Sequence, residues 1–365
     1  MRVRNAGLLL LTAIAALTLA VPKPAVAQLK KDTTKLTPRA IGIEARPIAK
    51  FTRRDKDKAE PPQNGKLVWR GGLALTSTSP YFGGWSGLQL DADGKRLVAV
   101  SDAGLWMTAE IAYDASGRPK AIANARIGPL LALDGKPLRR FRDRDAEAIA
   151  IVNGTLKKAR AYIAFEQNDR IGVFDLTEKG LSAPRRYIEM PPEKTRMRLD
   201  GIEALTVLKG GPMKGALVAF TENALRGEKV RRGWIWIKGK PKAFTVNGLG
   251  DFSVTGAASL EDGSVLLLER RFRWLEGLRI RMRHLPAASI RPGAAASGEL
   301  LLEANLAHEI DNMEGMAVSR TASGETVVTL ISDDNYNRFL QRTLLLQFTL
   351  PTNASAAAQV SREQR

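Results

Sequence analysis

Residues 203–222 read Glu203-Ala-Leu-Thr-Val-Leu-Lys-Gly-Gly-Pro-Met-Lys-Gly-Ala-Leu-Val-Ala-Phe-Thr-Glu222. Two short apolar runs flank a Gly- and Pro-containing segment, the pattern of two antiparallel strands joined by a turn. The pattern recurs along the chain. Ser86-Gly-Leu-Gln-Leu90 leads through Asp91-Ala-Asp-Gly94 to Arg96-Leu-Val-Ala-Val-Ser-Asp102. Glu147-Ala-Ile-Ala-Ile151 leads through Asn153-Gly154 to Ala161-Tyr-Ile-Ala-Phe-Glu166. Gly256-Ala-Ala-Ser-Leu260 leads through Glu261-Asp-Gly263 to Val265-Leu-Leu-Leu-Glu269. Glu314-Gly-Met-Ala-Val318 leads through Ala322-Ser-Gly324 to Val327-Val-Thr-Leu-Ile-Ser-Asp333. The units start at 86, 147, 203, 256 and 314, which are 61, 56, 53 and 58 residues apart.

A near-fixed period built from β-hairpins predicts an all-β chain folded as a β-propeller. The space between hairpins holds two more strands, such as Ile171–Leu176 and Arg186–Met190, so each blade has four. The count is five blades, with six as the alternative if two units have been merged. Gly87, Ala148, Ala150, Ala204, Gly256, Ala257, Gly315 and Ala317 are small where innermost strands crowd an axis. The last unit has a third strand, Arg342–Leu350, but no fourth. Leu67–Ala74 is an orphan strand before the first hairpin, and pairing it with Thr343–Leu350 closes the ring.

The 365 residues contain no cysteine and two histidines, His284 and His308. Disulfides, thiol nucleophiles, Cys-ligated metals and a multi-His metal site are thereby excluded. The propeller occupies 67–350. Residues 1–27 read as an exported protein's signal peptide: Arg2 and Arg4, an uncharged run from Ala6 to Val21, then Ala25-Val-Ala27 as the cleavage site. This predicts a periplasmic or secreted protein without stable membrane insertion. Residues 28–66 hold eleven Lys/Arg against five Asp/Glu and four prolines, and read as a disordered or loosely docked basic leader. Residues 351–365 read as a disordered tail. The formal net charge is +18. Part of that excess lies in the leader, export removes the protein from DNA and the predicted site is acidic, so nucleic acid is not an expected partner.

Hairpin geometry puts the start of each first strand and the end of each second strand at one end of the ring. The second strands end on Asp102, Glu166, Glu222, Glu269 and Asp333. The first strands open with Glu147, Glu203 and Glu314, preceded by Asp145, Asp200 and Asp311, and Ser86 takes the glutamate position in its blade. Asp334 and the amides Gln167, Asn168, Asn223 and Asn335 lie beside them, and Arg170, Arg226, Arg270, Arg271, Arg273 and Arg338 follow closely. So many acids in one funnel must bind cations, pair with arginines or hold protons. Hard oxygen donors suit Ca2+, or alternatively Mg2+. On this reading Glu147, Glu203 and Glu314 are the metal ligands. The five second-strand acids complete the ring or act as base. Arg270, Arg338, Asn168 and Asn335 contact the substrate. The competing reading makes the repeat acids structural, paired with arginines or bonded to the inner-strand backbone. His308 is placed near the funnel, and Trp234 and Trp236 in a strand packed on both sides. Asp91-Ala-Asp-Gly94 lacks the later glutamate of a calcium loop and reads as a turn. Gly248-Leu-Gly250 and Trp85-Ser-Gly87 lack the contexts of a dinucleotide site and a nucleophile elbow.

Asp145-Ala-Glu147-Ala-Ile-Ala, Asp200-Gly-Ile-Glu203-Ala-Leu, Asp311-Asn-Met-Glu314-Gly-Met-Ala, Ala164-Phe-Glu166-Gln-Asn168 and Ile331-Ser-Asp-Asp-Asn335 resemble the exported bacterial phytase-like propellers, the "esterase-like activity of phytase" family. The resemblance covers about Leu67 to Leu350. It implies a propeller with an acidic, metal-compatible face and hydrolysis of phosphate esters or related esters. No Arg-His-Gly motif is present, which excludes a histidine-type phytase. The expected function is a metal-dependent hydrolase of a small anionic ester. The alternatives are a non-catalytic ligand- or protein-binding propeller and a calcium-dependent lactonase. Oligomeric state is not legible.

Overall fold

Each innermost strand packs on those of the preceding and following blades, and the ring closes after five blades. The computed structural model describes residues 32–53, 66–191, 201–224, 230–248 and 250–351. The proposed cleavage site, Asp200, Arg226, Leu249 and the tail from 352 onward lie outside these residues.

From the axis outward, blade one is Trp85–Leu90, Arg96–Ser101, Leu105–Tyr113 and Pro119–Pro129. Blade two is Ala146–Thr155, Lys158–Phe165 and Arg170–Thr177, with Gly180–Leu181 and Arg186–Tyr187 both pairing with the third strand. Its inner strand continues through Asn153-Gly154, so that pair belongs to the ladder rather than the turn. Blade three is Ile202–Val207, Leu217–Ala224, Val230–Ile237 and Lys240–Asn247, edged by Ala295–Ala296. Blade four is Ser253–Ser259, Val265–Arg273, Gly277–Leu285 and Glu299–Asn305. Blade five is Met313–Arg320, Thr326–Ser332 and Thr343–Leu350, completed from the other end of the chain by Val68–Thr76. The closing register pairs Thr343 with Leu75 and Leu345 with Leu73, so both ends of the propeller segment lock one blade.

The strands carry apolar residues on both faces because each blade is sandwiched between two others. Five apolar layers result, one per blade interface. Leu344, Leu346 and Phe348 enter the layer toward blade four, while Leu345 enters the layer toward blade one. Trp234 and Ile235 likewise point into different layers. At the axis the inner strands approach so closely that side chains are excluded. A Cβ on Gly256 would lie 2.7 Å from the carbonyl oxygen of Glu314, and one on Gly315 would lie 2.5 Å from Ile331. These contacts explain the small residues after the first position of each repeat.

The basic leader is not loose over residues 32–53. Glu44–Ile48 pairs antiparallel with Val68–Thr76 as a fifth, outer strand of blade five, and Arg39–Ala40 pairs with the outer strand of blade one. Ile41, Ile43 and Ala45 pack on the layer between these blades. One face of an outermost strand meets solvent, so its charges are tolerated and mask the alternation. Thr52 bridges to His308, whose ring packs 5.0 Å from Phe51. His308 is therefore buried under the leader and does not face the funnel. No helix among the described residues is long and apolar enough to cross a membrane.

Candidate functional site

Every inner strand begins with a β-bulge, and the residue skipped by the ladder is Ser86, Glu147, Glu203, Thr255 or Glu314. A bulge adds one residue against the partner strand and re-aims its side chain. All five bulged residues line one opening of the central channel. Glu147, Glu203 and Glu314 thus converge, joined by the Ser86 and Thr255 hydroxyls. Thr255 is not legible in the sequence repeat, because the small residue Gly256 that follows it carries the repeat's signal in this blade.

The ends of the second strands form a surrounding ring. The ladder partners Trp85–Ser101, Ala146–Phe165, Ile202–Thr221 and Met313–Ser332 are followed by Asp102, Glu166, Glu222 and Asp333. In blade four the corresponding pair is Val254–Glu269, and the residue that follows is Arg270. Glu269 is therefore one residue out of step, and successive strand residues face opposite sides. Its carboxylate is fully buried between blades, 2.7 Å from Arg283 and hydrogen-bonded to Arg281 at 2.5 Å. Burial acts to raise its pKa, but the hydrogen bonds from Arg283 and Arg281 outweigh it and hold the carboxyl below the usual range. Glu269 is a structural ion-pair residue, not a funnel acid. Arg270 occupies the ring, with Nη2 3.6 Å from Glu314 Oε1.

The opposite electrostatics hold at the mouth. Burial, then the charge of Glu203 and Asp145, pushes Glu147 well above the ordinary carboxylate range. Burial and then Glu222 and Glu166 do the same to Glu203. Asp102 rises through burial and the nearby charges of Asp145 and Glu314. Asp333 rises through burial and Asp102. Asp145 and Glu314 are also raised, chiefly by burial, although Arg270 acts to lower Glu314. The groups must share protons or take up a cation.

Two triads are close enough to hold one ion each: Asp145, Glu147 and Glu166, and Glu166, Glu203 and Glu222, with candidate oxygens within 4.8 Å of one another. Glu166 belongs to both. Asp102 Oδ1 is buried and has no hydrogen-bond partner among the described residues. An all-oxygen, carboxylate-rich donor set fits Ca2+ or Mg2+. The triads differ from the sequence expectation. Glu314 lies outside both, while Asp145, Glu166 and Glu222 enter.

Other expected contacts serve the scaffold. Arg338 donates to the carbonyls of Ser77, Ser79 and Phe82. Asn168 Nδ2 donates to Asp143 Oδ1. The Asn335 backbone N–H donates to Asp333 Oδ1, and Asn335 and Tyr336 both adopt positive φ, 47° and 52°. Two such residues in succession hold the Asp333 loop in a sparsely populated conformation beside the mouth. Asp334 Oδ1 accepts from the N–H groups of Gly84 and Tyr336. Asp311 accepts from the N–H groups of Asn312 and Arg342. Arg271 and Arg273 pair with Asp251 and Glu276, and Arg170 stacks over Phe165.

No curated protein matches this chain. Among solved structures it is similar to one described as "Structure of Dos1 propeller", with 10% identity, TM-score 0.34, and coverage of 77% of this chain and 74% of that chain. It is also similar to a humanized mutant of the Chaetomium thermophilum Polycomb Repressive Complex 2 bound to the inhibitor GSK126, with 11% identity, TM-score 0.34, and coverage of 81% of this chain and 54% of that chain. Residues 80–336, which contain every member of both rings, match the Phytase-like family model, esterase-like activity of phytase, and the chain belongs to that family.

Proposed function

We propose that the protein is an exported, divalent-cation-dependent hydrolase of phosphate esters or related esters, acting at the acidic mouth of the propeller. The observation that carries this reading is the convergence of Glu147, Glu203 and Glu314 from three blades with the second-strand acids around them. Family membership supports an esterase- or phosphatase-like activity.

Asp145, Glu147, Glu166, Glu203 and Glu222 would hold Ca2+ or Mg2+. A bound divalent cation supplies a Lewis acid for the ester oxygen and acidifies bound water. The protein's own groups then divide the work. Arg270 is the cation of the second ring and binds the anionic substrate group opposite Glu314. Asp102 and Asp333, buried beside other acids that push their carboxyls above the usual range, accept or return a proton. The Ser86 hydroxyl orients substrate or water at the channel opening, while the Thr255 hydroxyl donates to the Met313 carbonyl and fixes the neighbouring inner strand. The test is turnover of phosphate esters, carboxyl esters and lactones, with EDTA and with restored calcium or magnesium. Hydrolysis that EDTA abolishes and the cation restores supports the reading. Cation binding without turnover of any ester defeats it in favour of a binding propeller.

A further inference from the structure

Every large apolar side chain exposed among the described residues lies at the mouth end of the propeller. Inner strands start at the mouth, so the hairpins between second and third strands and the connections between blades all lie there. Three of these connections share a composition. Arg139-Arg140-Phe141-Arg142 joins blade one to blade two. Arg271-Phe272-Arg273-Trp274-Leu275 forms the blade-four hairpin, and Arg338-Phe339-Leu340-Gln341-Arg342 lies in that of blade five. Trp274 is 87% exposed, Leu275 94% and Phe339 94%, so these tips stand free of the fold. Arg139, Arg140 and Arg142 are exposed and make no ion pair among the described residues.

We propose that the mouth end docks on an anionic lipid bilayer, with Trp274, Leu275, Phe339, Leu340 and Phe141 seated among the headgroups and Arg139, Arg140 and Arg142 on lipid phosphates. Apolar tips between basic residues are the composition of an interfacial anchor, in which aromatic rings sit at the headgroup level and arginines reach the anionic surface. The tips belong to separate turns on one end of the ring, which fits a broad surface rather than a peptide groove. Charge complementarity comes from Arg139, Arg140 and Arg142, which stand exposed around Phe141 at the outer edge of this end. The inference does not depend on the hydrolase reading.

A chain beginning at Gln28 contains every described residue and is free of the apolar run Ala6–Val21, so it is the form to test. It should sediment with vesicles of mixed phosphatidylcholine and phosphatidylglycerol, and not with phosphatidylcholine alone. Trp274 is the one exposed tryptophan of six, so binding should shift the emission to the blue. Trp274→Ser with Leu275→Ser should remove that shift and weaken partitioning about tenfold or more. The melting temperature should not change, because the tip makes no core contact. Failure to bind anionic vesicles overturns the proposal, as does equal partitioning of the variant. So does self-association by light scattering, or binding of a single-stranded oligonucleotide, that the variant loses while vesicles bind neither form.

Discussion

Arg270 Nη2 stands 3.6 Å from Glu314 Oε1, at the ring position that four other blades fill with Asp102, Glu166, Glu222 and Asp333. It is the one cationic member of that ring. Replacing it leaves Glu314 and Glu203 facing like charge without compensation. Arg270→Gln should cost roughly 1–3 kcal/mol near pH 8 and less near pH 5, because the raised carboxyls take up protons as the pH falls. Chemical denaturation in EDTA at both pH values checks this. Equal losses at the two would show that Arg270 acts through packing alone.

The mouth carboxyls set the pH dependence of the cation-free protein. Their native pKa values lie above those of the unfolded chain, near 4. The native state then holds more protons than the unfolded state above about pH 4, so stability is greatest at acid pH and falls as pH rises through the native values. The melting temperature in EDTA should decline from about pH 5 to 8. Millimolar calcium should flatten that slope and release protons on binding. A slope unchanged by calcium would make the ring a proton store rather than a cation site.

Glu203→Gln keeps the shape and removes one buried charge. The cation-free protein should become more stable near pH 8, by roughly 1 kcal/mol. The calcium-dependent rise in melting temperature should shrink, and ester turnover should fall at least about a hundredfold. A variant with a full calcium shift and full turnover removes Glu203 from the site.

Glu269→Gln should behave differently, because it leaves Arg281 and Arg283 buried with a weakened partner. A loss of roughly 3–5 kcal/mol follows from breaking a buried ion pair on one side. Its linkage has the opposite sign: the lowered native pKa gives stability that is present above about pH 4 and is lost as pH falls through the native value. The calcium-dependent shift of the variant should match that of the parent. A selective loss of calcium response would return Glu269 to the funnel.

Much of the architecture is legible in the chain itself. Short apolar runs at a near-fixed spacing leave few folds other than a propeller, and one orphan strand at each end of the repeats predicts the pairing of Leu67–Ala74 with Thr343–Leu350, whose register in the structure runs from Val68–Thr349 to Leu75–Thr343. The convergence of Glu147, Glu203 and Glu314 follows too, because equivalent positions in a rotary repeat must face one axis. The fifth strand of blade five was hidden because Glu44–Ile48 is exposed on one side, and its charges outweigh its pattern.

What the chain determined alone was therefore the repeat, its closure and the sign of charge at the mouth, all set by spacing and residue type. Tertiary structure decided which side each acid faces. The bulge at Thr255 and the ladder partner of Val254 place Arg270 in the ring and Glu269 between blades. A strand has a period of two, so a shift of one residue exchanges a side chain facing the mouth for a buried ion-pair partner between blades, and only the hydrogen-bonded register separates them.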